Sequence, residues 1–356
     1  MKPVKGHLEI MDNGFGFLRS IKDNFKPGIE NTYVSNAMIN KLGLREGSFI
    51  EGFADKKIPG KKNLALTKIE KINDLSIKEF AKVKSLQNQT SINPFEKYTL
   101  AINKDDITGR ALDIIAPIGK GQRGLIIAPP KSGKTTILKS MANSIILNHP
   151  ETAVFILLVD ERPEEVTDFQ RGVNGAHVLF SSADHQVDQH MRMTRLALHT
   201  AINRVETGQD VIVFIDSLTR MTRAFNKKTN SYGKTMTGGL GANAMEFPRK
   251  IFGAARKLEN GGSLTIVATI LIDTGSRMDD IIYQEFKGTG NMDLVLSQEC
   301  AENRIWPAIN IDRSGTRKEE LLLSKKDYKD AIEIRRQLPK NNELSSMTQL
   351  IEHLSD

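Results

Sequence analysis

The chain has 356 residues, of which 39% are hydrophobic and 26% charged, and its formal net charge is +7. This length allows two or three domains, and the composition is typical of a soluble globular protein. No run of about 18 apolar residues predicts a membrane span, the N-terminus lacks the apolar core of a secretory signal, and the single cysteine, Cys300, excludes a disulfide within the chain. We therefore expect a cytoplasmic protein without membrane contact.

Residues 1–75 are predicted to form a small barrel, because short strand-like segments alternate there with turn residues. The segments read "GHLEIM", "GFGFLRS", "TYVS", "SFIEGFA" and "LALTKIEKI", and a short helical piece separates the third from the fourth. Five strands in this length are typical of an oligonucleotide-binding (OB) or cold-shock-like barrel. The region is basic, with 13 Lys/Arg against 9 Asp/Glu.

The loop "KKIPGKK" at 56–62 places Lys56, Lys57, Lys61 and Lys62 around a Pro-Gly turn. Such a loop is either a solvated hairpin tip or a phosphate-attracting edge beside an aromatic face. The sequence leaves both interpretations open.

The stretch "NGFGFLR" at 13–19 alternates phenylalanine with glycine. In a strand, Phe15, Phe17 and Arg19 would share one face, because successive side chains point to opposite sides. The rings are then either core residues or a platform on which nucleic-acid bases stack. Glycines on the opposite face pack a core poorly, and this favours the platform.

A polar segment at 76–98 is predicted to be a connector, and the pattern changes at about residue 99. Continuous apolar runs then alternate with helical stretches at 134–148, 186–207 and 243–260. The apolar runs are "GLIIAP" (124–129), "AVFILLVD" (153–160), "VIVFIDS" (211–217) and "SLTIVATIL" (263–271). This alternation predicts an α/β domain over 99–356, built on a parallel sheet that helices cover on both faces.

A phosphate-binding loop is predicted where the first apolar run meets the first of these helices. The segment "APPKSGKT" (128–135) matches the P-loop pattern except that Ala128 replaces its first glycine. Backbone N–H groups would cradle phosphate oxygens, Lys134 would reach the β- and γ-phosphates, and the Thr135 hydroxyl would ligate Mg²⁺. Lys131 is a second phosphate ligand or an exposed loop lysine. The predicted nucleotide-binding set here is Lys131, Ser132, Gly133, Lys134, Thr135 and Thr136.

Acidic residues follow two later apolar runs. Asp216 ends "VIVFIDS" and has the form of a Walker B aspartate that holds Mg²⁺, with a helix cap as the alternative. "FILLVDERPEE" ends another run with Asp160, Glu161 and Arg162. Ligands of open α/β sheets lie at the carboxyl ends of strands, so a base that activates water is expected here. We favour Glu161, and Asp160 stays the alternative.

Several long segments closely resemble the bacterial transcription termination factor Rho family, from about residue 7 to residue 340. They include "DNGFGFLRS", "GLIIAPPKSGKTT", "LLVDERPEEVTDFQR", "DSLTRMTRAFN", "GGSLTIVATILIDTGSRMDD", "EFKGTGNMDLVLS" and "DRSGTRKEELL". The resemblance implies a homohexameric ring with an OB barrel and a RecA-like ATPase domain. It implies an ATP-dependent RNA/DNA helicase that binds nascent, pyrimidine-rich single-stranded RNA and releases transcripts from RNA polymerase. Elongation factor NusG is a further partner that it implies.

The resemblance also assigns roles to single residues. Lys134, Thr135 and Asp216 resemble the Walker A and B residues, and Glu161 the catalytic glutamate. Arg317 resembles an arginine finger given to the neighbouring subunit's ATP, a role that would neutralise transition-state charge. Further residues that it implies for the nucleotide are Arg304 across the interface, Arg220 near the γ-phosphate, Arg162, and Trp306 against the adenine.

Two glycine-rich loops, 229–240 and 273–279, would line the central channel of the ring and grip RNA. From the residues alone, we would interpret both as plain surface loops, each with one cation. The RNA-binding residues that the resemblance implies are Phe15, Phe17, Arg19, Tyr33, Lys234, Thr235, Gly238, Thr274, Gly275 and Arg277.

The sequence departs from the family pattern in three places. The barrel begins almost at Met1, where the family has a helical subdomain, so that subdomain is expected to be missing. Asn63 stands where the family often has an RNA-contacting aromatic, which weakens the expected pyrimidine preference. Arg277 stands where a lysine is common, and it keeps the charge but adds a planar fork.

Two other functions compete with an RNA-stimulated ring ATPase. A rotary or secretion ATPase subunit shares the RecA-type core and the arginine finger but lacks an N-terminal aromatic barrel. A passive RNA-binding protein with a vestigial ATP site is disfavoured by the complete set of Lys134, Thr135, Glu161, Asp216 and Arg317.

Overall fold

The computed structural model describes residues 1–57, 63–229, 239–241 and 244–355. Its N-terminal part is a closed five-stranded barrel with strand order β1-β2-β3-β5-β4. These strands are β1 (Lys2–Ile10), β2 (Gly16–Arg19), β3 (Tyr33–Val34), β4 (Phe49–Lys57) and β5 (Leu64–Ile72), with helix α1 (Asn36–Leu42) between β3 and β4. The predicted OB-like barrel is confirmed.

The interior of the barrel explains the glycines between the phenylalanines. Leu8, Val34, Ile50 and Ile72 are fully buried in its core. A Cβ on Gly16 would lie 2.6 Å from both the Glu9 carbonyl oxygen and Leu8 Cδ1. Glycine is therefore required here because β1 and β2 approach each other closely. Phe15 and Phe17 lie outside the core cluster of the barrel, whereas Leu18 belongs to it.

The rest of the chain is an α/β unit that follows a short stretch of small elements. This stretch holds α2 (Ile77–Phe80), a 3₁₀ turn (Leu86–Asn88), β6 (Ser91–Ile92), β7 (Lys97–Tyr98), α3 (Ile107–Ile115) and β8 (Ile118–Gly119). The central strands and helices are β9 (Arg123–Ala128), α4 (Lys134–Asn148), β10 (Ala153–Glu161), α5 (Pro163–Gly172), β11 (His177–Ser182), α6 (Val187–Glu206), β12 (Asp210–Asp216) and α7 (Leu218–Thr229). The chain continues with α8 (Glu246–Phe252), β13 (Arg256–Leu258), β14 (Ser263–Leu271), α9 (Arg277–Phe286), β15 (Met292–Val295), α10 (Gln298–Glu302), β16 (Gly315–Thr316), a second 3₁₀ turn (Glu319–Leu321), α11 (Lys325–Gln337) and α12 (Glu343–Ser355).

The main sheet has the order β11-β10-β12-β14-β9-β15-β16. Its strands pair in parallel from β11 to β15, and β16 is antiparallel at the edge. Two apolar clusters cover its two faces, which is why the strands read as continuous apolar runs rather than alternating ones. The predicted α/β domain of RecA type is confirmed. Within the part of the chain that the structure describes, no helix is long and apolar enough to cross a membrane.

The predicted helix over 243–260 is wrong in its second half. Helix α8 ends at Phe252, and β13 pairs antiparallel with β14 in the register Arg256 to Leu264 and Lys257 to Ser263. The turn before β14 contains two glycines, so a hairpin can form and bury Leu258 completely. Tertiary pairing overrides the local helical propensity of this segment.

Buried amide groups join the barrel to the α/β unit. Asn203 on α6 donates through Nδ2 to the Glu46 carbonyl at 2.7 Å, and its Oδ1 accepts from Ser48 Oγ and Asn73 Nδ2, both at 3.1 Å. The Asn203 side chain thus has partners on both its amide atoms, three of them in the barrel. The two units share one hydrogen-bonded interface.

Asn203→Ala should lower the free energy of unfolding by ~1–3 kcal/mol, because the Ser48 hydroxyl donor, the Asn73 Nδ2 donor and the Glu46 carbonyl lose their bonds to Asn203. Chemical denaturation followed by circular dichroism measures the change, and Trp306 fluorescence follows the α/β unit separately. Asn40→Ala, at an exposed position of α1, is the matched control. Equal stabilities for the two variants would contradict the role given to Asn203.

Candidate functional site

A phosphate-sized cradle opens where β9 leads into α4. Gly133 precedes α4 with φ +85°, and a Cβ there would lie 2.5 Å from Trp306 Cζ3. Ser132 is buried, and its hydroxyl donates to the Pro129 carbonyl at 2.8 Å, which holds the loop. Free N–H groups at the start of a helix attract anions, so this loop forms an anion site.

Lys134 lies between two fully buried carboxylates. Its Nζ donates to Asp216 Oδ1 and lies 3.5 Å from Glu161 Oε1. Thr269 on β14, which the sequence gave no reason to select, donates to the same Asp216 oxygen at 2.8 Å. Asp216 is not the cap of α7, because Ser217 Oγ accepts the N–H of Arg220 at 3.2 Å in that position.

A bulge decides which of the two adjacent acids faces the site. The parallel register of β10 with β11 shifts between Val159 and Glu161, and Asp160 has φ +59°. Glu161 therefore points at Lys134, and its Oε1 lies 3.1 Å from Arg220 Nε. Asp160 contributes its carbonyl, which accepts from Arg220 Nη1 at 2.9 Å. This arrangement favours Glu161 over Asp160 as the base.

Burial and charge set the protonation of this cluster. Burial, together with the charge of Asp216, raises the pKa of Glu161 to about 8. Burial alone would lower the pKa of Lys134, but the carboxylates of Asp216 and Glu161 outweigh it and raise that pKa. Lys134 is therefore charged at neutral pH. The pKa of Glu161, at about 8, lies close to neutral pH.

Two buried carboxylate oxygens of this cluster suit a metal ion that binds together with a nucleotide. Asp216 Oδ2 and Glu161 Oε2 are buried and have no hydrogen-bond partner among the described residues. In the described ranges no group of three or more His, Cys, Asp or Glu side chains could hold a metal alone. Mg²⁺ typically uses one or two protein oxygens plus phosphates, so Thr135 and Asp216 suit it as a pair.

Most of the predicted nucleotide residues line one cavity of about 450 Å³. Glu165, Leu271 and Thr274 line it as well, and sequence reasoning had not placed them at the nucleotide. The predicted residues around the cavity are Lys131, Ser132, Gly133, Lys134, Thr135, Thr136, Arg162, Arg220 and Trp306. Trp306 is 44% exposed, so part of its ring is accessible from the cavity.

Arg304 and Arg317 lie elsewhere. Arg304 follows α10 and Arg317 follows the edge strand β16, and both are exposed. Arg317 Nη2 would lie 3.6 Å from a Cβ on Gly288, and its charge acts on Asp293 rather than on the phosphate loop. Neither arginine lines the cavity of its own chain. Their exposure leaves them available to a neighbouring subunit.

Three aromatic rings cluster on the outside of the barrel. Phe15 lies 5.8 Å from Phe17 and 5.5 Å from Tyr33 between ring centroids, and Phe17 lies 6.0 Å from Tyr33. All three are half-buried, so each keeps part of its surface exposed to solvent. We call these three residues the aromatic platform.

Arg19 borders the platform but is not a free cation. Its guanidinium carbon lies 4.9 Å from the Phe17 ring centroid. It is buried, donates to Glu9 at 2.6 Å and to Asn31 Oδ1 at 2.5 Å. Asn63, in place of the expected aromatic, donates to the carbonyls of Asn31 at 2.8 Å and Ile29 at 3.1 Å. These polar groups fix the rim of the platform.

The two predicted channel loops differ in what the structure describes. Lys234, Thr235 and Gly238 lie outside the described residues, as do Lys61 and Lys62 of the basic hairpin. In the loop 273–279, Thr274 Oγ1 donates to Asp279 Oδ2 at 2.6 Å, and Asp279 is held by Arg223 of α7. Gly275 and Arg277 are exposed. Thr274 thus joins the nucleotide cavity to this loop.

The fold and the site define a P-loop nucleotide-binding protein that carries an aromatic OB-like barrel. The sequence model of the Rho termination factor RNA-binding domain matches residues 4–78, and that of the ATP synthase alpha/beta family nucleotide-binding domain matches residues 109–316. The chain is 46% identical to transcription termination factor Rho of Aquifex aeolicus, over 99% of this chain and 81% of that one. It is 44% identical to transcription termination factor Rho of Escherichia coli, over 98% and 84%. The chain belongs to the transcription termination factor Rho family.

Solved structures show the same α/β fold in more distant proteins. A prototypical ATPase from the type III secretion system of pathogenic bacteria superposes with a TM-score of 0.61 at 19% identity, over 75% of this chain and 87% of that one. The assembled ATPase EscN of enteropathogenic E. coli superposes with a TM-score of 0.61 at 21% identity, over 75% of this chain and 68% of that one. At this identity the likeness concerns the fold alone.

The pKa of Glu161 predicts how ATP hydrolysis depends on pH. A carboxyl accepts a proton only when it is ionised, so kcat/KM for ATP should rise as pH increases through about 8 and level off above it. Glu161→Gln should lower kcat by ~10²–10⁴-fold and remove this rise. Steady-state kinetics across pH measures both.

Glu164→Gln, at an exposed position in the first turn of α5, is the control and should keep the wild-type pH profile. A Glu161→Gln profile that still rises through the same pH would assign the titration to another group.

Proposed function

We propose that this protein is a homohexameric, RNA-dependent ATPase and helicase that ends transcription. In this proposal the barrel holds nascent single-stranded RNA, and ATP hydrolysis to ADP and phosphate drives translocation along it. The observation that carries the proposal is the presence in one chain of the aromatic platform and the Lys134 site, joined by a hydrogen-bonded interface.

The roles proposed for the site residues follow from their contacts. Mg²⁺, when bound with ATP, would neutralise phosphate charge, and Thr135 and Asp216 would hold it. Lys134 would leave Asp216 to contact the β- and γ-phosphates, and Arg220 would orient Glu161. Glu161 would accept the proton of the attacking water, since its second carboxylate oxygen has no partner among the described residues.

Two exposed arginines support hydrolysis at subunit interfaces. Arg317 and Arg304 do not reach the cavity of their own chain, so we assign them to the ATP of the adjacent subunit. A ring closes such head-to-tail contacts without leaving an open end. A homohexamer is the ring that we propose.

We assign residues 1–75 to the RNA-binding domain, 76–98 to a connector and 99–356 to the ATPase domain. The partners proposed beyond RNA are RNA polymerase and the elongation factor NusG, and the proposed location is the cytoplasm, where bacterial transcription takes place. Pyrimidine-rich RNA is the proposed ligand, with a weaker base preference than an aromatic at position 63 would give.

RNA stimulation of ATP hydrolysis tests this proposal against a secretion-type ATPase. Poly-pyrimidine RNA should raise the turnover of ATP many-fold, and Lys134→Ala should abolish ATP hydrolysis. Phe15→Ala with Phe17→Ala should lose ~1–3 kcal/mol of RNA binding per stacked base while ATP binding persists. ATPase assays with and without C-rich RNA, with hexamer mass measured alongside, give these quantities.

Phe95→Ala is the matched control, because Phe95 is an exposed phenylalanine outside the barrel. If RNA does not change the ATP turnover of the wild-type protein at low salt, the proposal is wrong.

Mixed rings test the proposed position of Arg317. Arg317→Ala should lower hydrolysis by ~10³–10⁵-fold without loss of nucleotide binding. Mixing Arg317→Ala subunits with Lys134→Ala subunits should restore hydrolysis, because an unlike pair combines one intact phosphate loop with one intact finger. Arg313→Ala, at a nearby exposed arginine, should behave as wild type. Mixtures as inactive as either parent would place Arg317 in its own site.

A further inference from the structure

A basic cavity of about 270 Å³ lies at the junction of the barrel and the α/β domain. We call it the seam cavity. Its walls come from β1 and the segment after β2 on the barrel side and from the end of α6 on the other side. The charged and titratable residues in its lining are Lys5, His7, Arg19, Lys22, Asp74 and Arg204.

Three cations of the seam cavity form no close ion pair with any described residue, although the charge of Asp74 acts on Arg204. Arg204 is half-buried and stacks 5.6 Å from the Phe155 ring centroid, and its guanidinium makes no hydrogen bond or close ion pair with any residue that the structure describes. Lys5 and Lys22 are exposed and form no ion pair within the described ranges. Among the described lining residues, Asp74 is the single acid. The cavity therefore holds an excess of positive charge.

The neighbouring histidines, His7 and His177, add no positive charge to the cavity at neutral pH. Burial lowers the pKa of His7 to about 4, and the charge of Arg204 contributes to this shift. Burial and the same charge lower the pKa of His177 to about 4. Both rings are neutral at pH 7, so the open donors of the cavity are those of Arg204, Lys5 and Lys22.

Arg19 connects the seam cavity to the aromatic platform. This side chain lines the cavity and also lies 4.9 Å from the ring centroid of Phe17. Glu9 and Arg192 fix its position, since Glu9 accepts from Arg19 and from Arg192 of α6. The aromatic platform and the seam cavity therefore have Arg19 as a common neighbour.

We propose that the seam cavity binds a backbone phosphate of the RNA strand whose bases stack on the aromatic platform. A phosphodiester supplies the charge and the acceptors that Arg204, Lys5 and Lys22 lack. The site would hold RNA against the α/β domain rather than on the barrel alone. This inference rests on the proposed RNA binding, and its ligand chemistry, a phosphate group, could also come from free phosphate.

The salt dependence of RNA binding tests this site on the full-length protein. Lys22→Gln and Arg204→Gln should each lower the slope of log affinity against log salt by about 0.7 and weaken oligo(C) binding about fivefold at 0.1 M salt. The charge-retaining Lys22→Arg and Arg204→Lys should restore the slope. Lys41→Gln, an exposed lysine of the barrel outside the cavity lining, is the control.

The outcomes separate the two proposals. Wild-type protein that fails to bind oligo(C) contradicts the proposed function itself. Wild-type binding with unchanged slopes in Lys22→Gln and Arg204→Gln overturns the seam site alone. If Arg204→Gln does not fold, the salt slopes of Lys22→Gln and Lys22→Arg, at an exposed position, decide whether the seam site binds RNA.

Inorganic phosphate at constant ionic strength distinguishes the two sources of the phosphate group. Thermal stabilisation of wild type but not of Arg204→Gln by phosphate, with unchanged RNA slopes, would overturn the RNA assignment in favour of a free-anion site. Lower RNA slopes in the neutral variants support the RNA assignment.

Discussion

Lys134 lies between Asp216 and Glu161 at the carboxyl ends of two neighbouring strands, where both carboxylates are fully buried. Removing one partner of such a buried cluster leaves an uncompensated charge, which costs about 3–5 kcal/mol. A nucleotide phosphate offers Lys134 a replacement anion. In the proposed mechanism, phosphate entry and release of the Asp216 carboxylate would therefore be coupled by charge, and the freed carboxylate would be able to hold Mg²⁺.

The same cluster is connected to the loops around it by helix α7. Arg220, in the first turn of this helix, lies beside Glu161, and Arg223, one turn later, holds Asp279. Asp279 in turn binds Thr274, which lines the nucleotide cavity. The position of the loop 273–279 is thus tied to the position of the phosphate site through a rigid element rather than through a flexible segment.

The sequence predicted the parts of the structure that depend on local chemistry. The phosphate loop needs a glycine with positive φ before a lysine, and the buried parallel strands need continuous apolar runs. The orientation of Glu161 relative to Asp160 depends on a bulge set by pairing with β11, which no local pattern encodes. The segment 256–258 becomes a strand only because β14 is beside it. Thr269 likewise reads as an ordinary strand residue until the sheet places it against Asp216.

The interface between the barrel and the α/β domain limits how RNA binding can be communicated. Asn24 pairs with the edge strand β11 as a strand would, since its side chain donates to the Phe180 carbonyl at 2.6 Å and accepts from the Phe180 N–H at 2.9 Å. This pairs the edge strand at Phe180, and Asn203 adds buried bonds elsewhere in the interface. A barrel held in this way does not swing freely on its connector. RNA bound on the aromatic platform, as proposed, would therefore keep a fixed direction relative to α6 and the main sheet, and a change in the ATPase site would have to act on that RNA by moving other loops or other subunits.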